Sequence, residues 1–185
     1  MSEAVRLPFG QAMAALGRCF GRTCRLLSRQ KVHVPRDMVG RRLRFADGTS
    51  SVVYRETVVD RGGPADPCVL VVSFRLRWVR GWGHRLFRLE SLLNTPLFVG
   101  FPGFVSKLWL ADDENGVYRG LYEWDGPDSA EAYVRALWWA LIVVSERDSI
   151  RHQVVPGMRR DSVLVRPELL GGRTRAEWWN LVSAG

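Results

Sequence analysis

The sequence has few cysteines and no apolar run long enough to cross a bilayer. Its three cysteines, Cys19, Cys24 and Cys68, form neither an even set nor a Cys-x-x-Cys pair. This excludes a disulfide framework and fits the reducing cytosol. A transmembrane helix needs about 18 or more apolar residues, whereas the run at 136–144 has nine. The short apolar start of the chain is followed at once by arginines, so we expect a cytoplasmic protein without a signal peptide or transmembrane segment.

Lysine is also scarce, since only Lys31 and Lys107 occur among the 27 basic residues of a chain with net charge +8. A charge of this kind indicates either an anionic partner or a genome that favours arginine. Neither zinc-ligand spacing nor an RRM-type aromatic motif accompanies the charge. We therefore expect no nucleic-acid partner.

Sequence motifs for metal, cofactor and nucleophile chemistry are missing as well. His33, His84 and His152 show no HxxxH or HExxH spacing. There is no GxSxG, no glycine-rich phosphate loop and no Rossmann fingerprint. Cys19 and Cys24 lack a partner histidine and are interpreted as small apolar residues. The sequence thus predicts no metal site and no bound cofactor.

Residues 11–29 have the periodicity of an amphipathic helix. Apolar side chains fall on one side of it, and the opposite side carries Arg18, Arg22, Arg25 and Arg29. We expect the apolar side to cover the rest of the protein. Contact of the basic side with a membrane surface is the alternative.

A β-hairpin follows the helix. Segments 41–48 and 50–59 have strand character and meet at Asp47-Gly48, a dipeptide typical of tight hairpin turns. The glycine- and proline-rich segment after them marks a boundary. Residues 1–66 are therefore predicted to be an N-terminal extension of helix and hairpin.

Residues 67–158 show the pattern of a ferredoxin-like domain. Strand and helix periodicity alternates in the order βαββαβ, at residues 68–79, 83–94, 104–111, 116–125, a helix opened by 125–129, and 149–157. This order predicts an α+β fold with an antiparallel sheet. The tail, 159–185, is expected to pack on this domain.

Three motifs between residues 101 and 134 carry a family resemblance. A Pro-Gly-Phe leads into a strand that ends in Lys-Leu-Trp, a Tyr-x-Gly-x-Tyr strand follows, and Asp-Ser-Ala-Glu-Ala-Tyr opens a helix. This region resembles the YdhR-type monooxygenases of the dimeric α/β-barrel superfamily, relatives of the antibiotic-biosynthesis monooxygenases. The similarity extends over residues 68–158.

The resemblance implies a homodimer, a dimeric α/β barrel in which two sheets pack face to face. It also implies a pocket in each subunit between the sheet and its helices. Some characterised relatives oxidise polycyclic aromatic substrates with O₂ and use no metal or flavin. Others bind and degrade haem.

The predicted topology brings many aromatic and histidine side chains to one edge of the sheet. In a βαββαβ unit the ends of strands 1 and 2 share that edge with the starts of strands 3 and 4. The residues placed there are Trp78, Trp82, His84, Trp109, Tyr118, Trp138, Trp139 and His152. Strand parity turns His152 toward the helices. Tyr118 and Tyr122 flank Gly120, which leaves space for a ligand or a closely packed helix.

This edge predicts an aromatic-lined pocket for a flat, apolar small molecule, polycyclic aromatic or polyketide-like. The predicted substrate-binding residues are Trp78, Trp82, Trp109, Tyr118, Tyr122, Trp138 and Arg75. His84 and His152 are the candidate bases, since a histidine can take a proton from a phenol or an activated carbon that O₂ then attacks. We expect a cofactor-independent monooxygenase, or a related cyclase or isomerase, of secondary metabolism.

Other interpretations stay open. In the first interpretation, the aromatic residues and His152 belong to the hydrophobic core and bind no ligand. The second is a haem-binding protein with a histidine as axial ligand, and the third is a noncatalytic ligand-binding or membrane-surface module. The opposite sheet face is expected to carry Arg75, Arg77, Lys107, Arg119 and Glu123, joined by Trp109 if Val105 and Lys107 point the same way. There Arg119 and Glu123 pair across the dimer, or Arg75 and Lys107 hold an anionic ligand.

The stretch RALWWALIVV, residues 135–144, is predicted to lie in the second helix. Projection turns Trp138 toward the sheet and Trp139 away from it. Trp139 therefore needs a second cover. One candidate is the apolar side of the N-terminal helix, with Met13, Leu16, Phe20 and Leu27, and the other is the tail segment with Trp178 and Trp179.

Overall fold

One sheet runs through the protein and carries helices on both sides. The structure is a computed structural model and describes residues 7–77, 98–171 and 177–185. Its helices are α1 (Phe9–Ser28), α2 (Pro127–Val144), α3 (Arg160–Val165) and α4 (Glu168–Gly171), with a 3-10 turn at Arg147–Ser149. Its strands are β1 (Val32–His33), β2 (Arg42–Phe45), β3 (Ser50–Val59), β4 (Pro67–Arg75), β5 (Phe104–Leu110), β6 (Val117–Asp125), β7 (Arg151–Pro156) and β8 (Leu181–Ala184).

The strands pair antiparallel in the order β7-β4-β6-β5-β3-β2-β8, and β1 pairs with β3. The predicted hairpin is present, because β2 and β3 pair across the Asp47-Gly48 turn. Gly48 has a φ of 85° there, which glycine adopts without steric cost. An α+β fold with an antiparallel sheet is thus confirmed. The domain boundaries stay predictions, and strands from either side of residue 66, β3 and β5, pair directly.

Both faces of the sheet are covered, which explains the apolar run CVLVV in β4. Leu70 and Val72 belong to a core shared with α1 and α2, on the surface that we call the helix face. Val69 and Val71 belong to a core shared with α3 and α4, on the surface that we call the tail face. A strand buried on both faces reads as a nearly continuous apolar run.

In the dimer that the family resemblance implies, the tail face would pack against a second copy. In this structure the C-terminal segment of the same chain covers it. Val163 of α3 packs in its core, and β8 extends the sheet beyond β2. Glu123 pairs with Arg159 at 3.1 Å, and Arg119 pairs with Asp113 at 2.6 Å. The expected pair between Arg119 and Glu123 is wrong, because each side chain has a partner in its own chain. The homodimer stays a prediction that requires another surface.

Helix α1 packs on the protein through small side chains. Its buried residues are Ala12, Cys19 and Thr23. A Cβ at Gly100 would overlap the backbone carbonyl of Cys19, so the glycine lets the helix approach the loop before β5 closely. Phe20, in contrast, is 53% exposed. The expectation that the large apolar side of the helix covers the protein holds for Leu16, which packs against the core, but is wrong for Phe20, because small residues permit the closer contact.

Replacing Gly100 by alanine is expected to lower the free energy of unfolding by about 1–2 kcal/mol, because an added methyl group meets rigid backbone. Urea unfolding followed by tryptophan fluorescence measures the change, and limited proteolysis within α1 reports whether the helix detaches. Gly62→Ala is the matched control, since no atom lies within 4 Å of a Cβ at that position. Equal stability of the two variants would contradict the close packing of α1.

Trp139 of α2 is covered by the N-terminal segment, but by Leu7 and Phe9 and not by the predicted residues Met13, Phe20 and Leu27, which are exposed. Its Nε1 donates a hydrogen bond to the Leu7 carbonyl at 2.9 Å, and its ring meets Phe9 edge-on with centroids 5.6 Å apart. On the same helix Val134 is buried and Val143 is 74% exposed. The stretch RALWWALIVV is therefore a helix between the sheet and α1. In the part of the chain that is described, no helix combines the length and apolarity needed to cross a membrane.

Candidate functional site on the helix face

The predicted site residues on the helix face fall into rows across the sheet. Strand register places His152, Val72, Gly120 and Trp109 side by side on β7, β4, β6 and β5. Neighbouring strands lie about 4.8 Å apart, so roughly 14 Å separates the backbones at His152 and Trp109. His152 is on the helix face as predicted, but the register does not bring it beside Trp109.

The next row holds Lys107, opposite Tyr122 on β6. Its Nζ lies 3.1 Å from the centroid of the Trp109 ring and 4.7 Å from the centroids of the Phe98 and Tyr122 rings. We call this lysine and its three rings the lysine cage. Only 7% of Lys107 is exposed. Among the residues that the structure describes, no acidic side chain forms an ion pair with it.

A bulge in β5 explains why Lys107 points to the helix face. The register between β5 and β6 shifts between Phe104 and Ser106, so Phe104 and Lys107 point the same way although they are three residues apart. An extra residue of this kind redirects the side chains that follow it. The expectation that Lys107 shares the opposite face with Arg119 is therefore wrong.

The surroundings of Lys107 favour its neutral amine. Burial, and then the positive charge of Arg55, lower the pKa of Lys107 well below its usual 10.5. The Arg55 guanidinium carbon lies 5.4 Å from the centroid of the Trp109 ring. Aromatic faces attract a cation, whereas burial removes the hydration that stabilises the charged ammonium. Lys107 can thus accept a proton at a pH well below 10.5.

Hydrogen bonds hold two rings of the lysine cage in place. Trp109 Nε1 donates to Thr57 Oγ1 at 3.1 Å. The hydroxyls of Tyr122 and Tyr133, a residue of α2, share a hydrogen bond at 3.3 Å. Burial raises the pKa of both tyrosines, so both remain neutral phenols. Trp109 and Tyr122, two predicted substrate-binding residues, therefore form a rigid wall beside Lys107.

The space above Gly120 is occupied by the ring of Tyr122. A Cβ at Gly120 would lie 2.6 Å from Cε2 of that ring. The space expected there for a ligand or a helix is thus already filled by a side chain of the same strand. The glycine allows the Tyr122 ring to lie where it contacts Lys107.

The other predicted site residues lie apart from the lysine cage or outside the described residues. Tyr118 stacks on Phe74 with centroids 5.9 Å apart, and Trp138 is half-buried on α2. His152 Nε2 lies 3.4 Å from the Glu131 carboxylate of α2, with both side chains partly exposed. The predictions for Trp78, Trp82 and His84 fall outside the described residues.

A polar cleft of about 350 Å³ opens on the tail face, at the edge where β4 ends. Among the residues that line it are Arg75, Asp113, Arg119, Glu146, Arg151 and Trp178. Arg75 pairs with Glu146 at 3.5 Å. Lys107 points to the helix face, so the sheet separates it from Arg75. The predicted anion site formed by these two residues together is therefore wrong.

No protein-family model and no curated protein matches this sequence. The resemblance to YdhR-type monooxygenases stays a prediction. Within residues 7–77, 98–171 and 177–185, no group of three or more histidine, cysteine, aspartate or glutamate side chains is placed to hold a metal ion. The haem alternative, with a histidine as axial ligand, also stays a prediction.

Lys107 carried a signal in the sequence that the prediction of histidine bases did not use. It lies in FVSKLWL, a strand whose other residues are largely apolar, and lysine is seldom buried in such a strand unless it is paired. Phe98 and Arg55 gave no comparable signal. They reach the lysine from the loop before β5 and from β3, so only the tertiary fold brings them there.

Proposed function

We propose that the protein is a small-molecule enzyme that removes a proton from a flat, apolar substrate at the helix face, with the amine of Lys107 as base. The observation that carries this proposal is the buried amine among three rings, without an acidic partner in the described chain. A lysine with a lowered pKa is a general base at moderate pH. Aromatic rings of this kind also pack against a polycyclic aromatic or polyketide-like molecule.

The strand order supports a ferredoxin-like core for this enzyme. β4, β5, β6 and β7 correspond to the four successive strands of a βαββαβ unit, and α2 corresponds to its second helix. In the sheet they have the order β7-β4-β6-β5, with the first and third strands in the centre. The segment that corresponds to the first helix, 83–94, lies outside the described residues.

Cofactor-independent oxygenation is the reaction class that we assign. The Lys107 amine takes a proton from an activated CH₂ group, and the resulting carbanion reacts with O₂. Over the whole reaction the CH₂ group becomes a carbonyl, and the second oxygen atom leaves as water with the two hydrogens. The substrate supplies all the electrons, so no external reductant is needed. A related isomerase or cyclase would use the same first step.

The test compares the only two lysines of the chain, using oxygen consumption with a polycyclic phenol or an anthrone as substrate. Lys107→Met is expected to lower kcat/KM by about 10²–10⁴-fold, the usual effect of losing a general base. Lys31→Met is the matched control, because Lys31 is exposed, and it should leave turnover unchanged. Exchange of the substrate CH₂ hydrogens in D₂O, followed by NMR, measures the proton transfer without O₂.

Two results would contradict the proposal. Turnover that survives Lys107→Met but is lost in His84→Ala or His152→Ala would assign the base to a histidine, as the sequence predicts. If the protein neither exchanges the substrate hydrogens in D₂O nor binds any polycyclic compound, the proposed enzyme function is wrong.

A further inference from the structure

The amine of the lysine cage lies among aromatic rings. Nζ of Lys107 lies 3.1 Å from the centroid of the Trp109 ring and 4.7 Å from those of the Phe98 and Tyr122 rings. Among the described residues it forms no ion pair with an acid, so no carboxylate holds it in its ammonium form. A neutral lysine amine is a nucleophile as well as a base, and it attacks the carbonyl carbon of aldehydes.

We infer that the Lys107 amine forms a covalent imine with an aromatic aldehyde that enters the lysine cage. Attack of the amine on the aldehyde carbon gives a carbinolamine, which then loses water. Both amine hydrogens leave with the carbonyl oxygen, and a C=N double bond joins Nζ to the ligand, so no oxidant or reductant takes part. This inference rests on the proposed function only for the neutral amine, and it requires no acidic CH₂ group in the ligand.

The burial of the lysine cage favours the imine. Lys107 is 7% exposed, Tyr122 3% and Phe98 2%, so little water reaches the C=N bond, and exclusion of water protects such an adduct from hydrolysis. The neutral imine also avoids the free-energy cost of burying an ion. Arg55, whose guanidinium carbon lies 5.4 Å from the centroid of the Trp109 ring, adds a positive charge that disfavours protonation of the imine.

The walls of the lysine cage favour an aromatic aldehyde over an aliphatic one. Lys107 and Trp109 are the most exposed of its four residues, at 7% each, so a ligand reaches Nζ along the Trp109 ring. A planar ligand ring that enters there packs on the indole and brings its carbonyl carbon to Nζ, whereas an alkyl chain gains no such ring contact. The hydrogen bond from Trp109 Nε1 to Thr57 Oγ1, 3.1 Å long, fixes the indole for this contact.

Reductive labelling of the full chain at pH 7 tests the inference. Naphthaldehyde forms the imine, and sodium cyanoborohydride converts it to a stable secondary amine that adds the mass of the aldehyde less one oxygen. Peptide mapping by mass spectrometry should show Lys107 labelled at least about tenfold faster than Lys31, because Lys31 is exposed and exposed lysine amines are mostly protonated at this pH. The mapping also separates the α-amino group, which reacts on its own.

Matched controls show whether the folded cage causes the selectivity. In concentrated urea the cage is lost, and Lys107 and Lys31 should be labelled at equal rates. Lys107→Met should take up no label in the corresponding peptide, while Lys31→Met should leave the labelling of Lys107 unchanged. Equal labelling of both lysines in the folded protein overturns the inference. A preference for Lys107 over Lys31 that is as large with hexanal as with naphthaldehyde overturns the assignment to aromatic aldehydes.

Hydrogen exchange in D₂O separates this inference from the proposed function. Selective labelling of Lys107 in a protein that exchanges no substrate hydrogens supports the imine and contradicts the proposed base. Exchange without selective labelling supports the base and overturns the imine. Where both reactions occur, naphthaldehyde without the reductant should inhibit the exchange reversibly, because the imine occupies the amine that takes the proton. Exchange that the aldehyde does not slow overturns the imine.

Discussion

Replacing Asp113 by alanine is expected to lower the free energy of unfolding by about 3–5 kcal/mol, because it leaves the Arg119 guanidinium buried without its main partner. The side chains of Arg119 and Asp113 are 2% and 0% exposed, and Nη1 lies 2.6 Å from Oδ2. Arg119 Nη2 also pairs with Asp47 at 2.7 Å. Asp47 lies in the β2–β3 turn, so Arg119 connects this turn to the turn before β6.

Asp113 stabilises its own turn as well. Its Oδ1 accepts hydrogen bonds from the backbone N–H groups of Asn115 at 2.8 Å and Val117 at 3.0 Å. The alanine variant loses these bonds together with the ion pair. Urea unfolding at neutral pH, followed by tryptophan fluorescence, measures the combined loss.

Two further variants distinguish the stability contributed by the buried ion pair from that of an exposed ion pair. Asp161→Ala removes a carboxylate that pairs with Arg160 but is 70% exposed, and it should change stability by less than about 1 kcal/mol. The double variant Asp113→Leu with Arg119→Met removes both buried charges and should recover much of the loss. A loss in Asp113→Ala no larger than in Asp161→Ala would show that the pair does not stabilise the fold.

The course of the main chain could largely be predicted from the sequence. Alternation in β6, the continuous apolar run in β4 and the Asp47-Gly48 turn are local signals, and the strands and hairpin form where these signals are. The helix start after Asp125-Gly126 was also visible, because Pro127 lies in the first turn of α2. Periodicity and turn chemistry act over a few residues, so a single sequence reveals them.

The face to which a residue points was less predictable where it depended on a single backbone irregularity. The bulge between Phe104 and Ser106 reverses the parity of the rest of β5. It moves Lys107 and Trp109 together onto the helix face. No glycine or proline marks the position of this bulge inside the strand, so strict alternation gave the wrong face for Lys107.

The packing of α1 was misjudged for a different reason. Hydrophobicity alone pointed to the side with Met13 and Phe20 as the buried one. The side that packs has Ala12, Cys19 and Thr23, because Gly100 allows backbone contact there. Close approach of two backbones depends on residues that are far apart in the sequence and leaves no periodic pattern.

Replacing Lys107 by methionine is expected to raise the free energy of unfolding by about 1–3 kcal/mol, although it removes the proposed base. Methionine has a similar shape and makes favourable contacts with aromatic rings. It also avoids the cost of burying a polar group that no acid neutralises. A gain in stability together with a loss of turnover is typical of a residue kept for function.

The pH dependence of the stability gained in Lys107→Met identifies the cause of that gain. The pKa of Lys107 is lowered in the folded protein and is about 10.5 in the unfolded chain. Between these two values the unfolded chain binds a proton that the folded protein does not, so the stability of the wild type rises with pH and levels off above 10.5. The advantage of Lys107→Met should therefore be largest below the folded pKa and shrink as the pH approaches 10.5.

Urea unfolding of wild type, Lys107→Met and Lys31→Met across this pH range measures the effect, because taking differences cancels the titration of all other groups. Lys31 is exposed, and its variant should parallel the wild type at every pH. A Lys107→Met advantage that stays constant up to pH 10.5 would mean that the amine keeps its proton in the folded protein. Lys107 would then be held as a cation by Trp109, Phe98 and Tyr122, and it would not be available as a base.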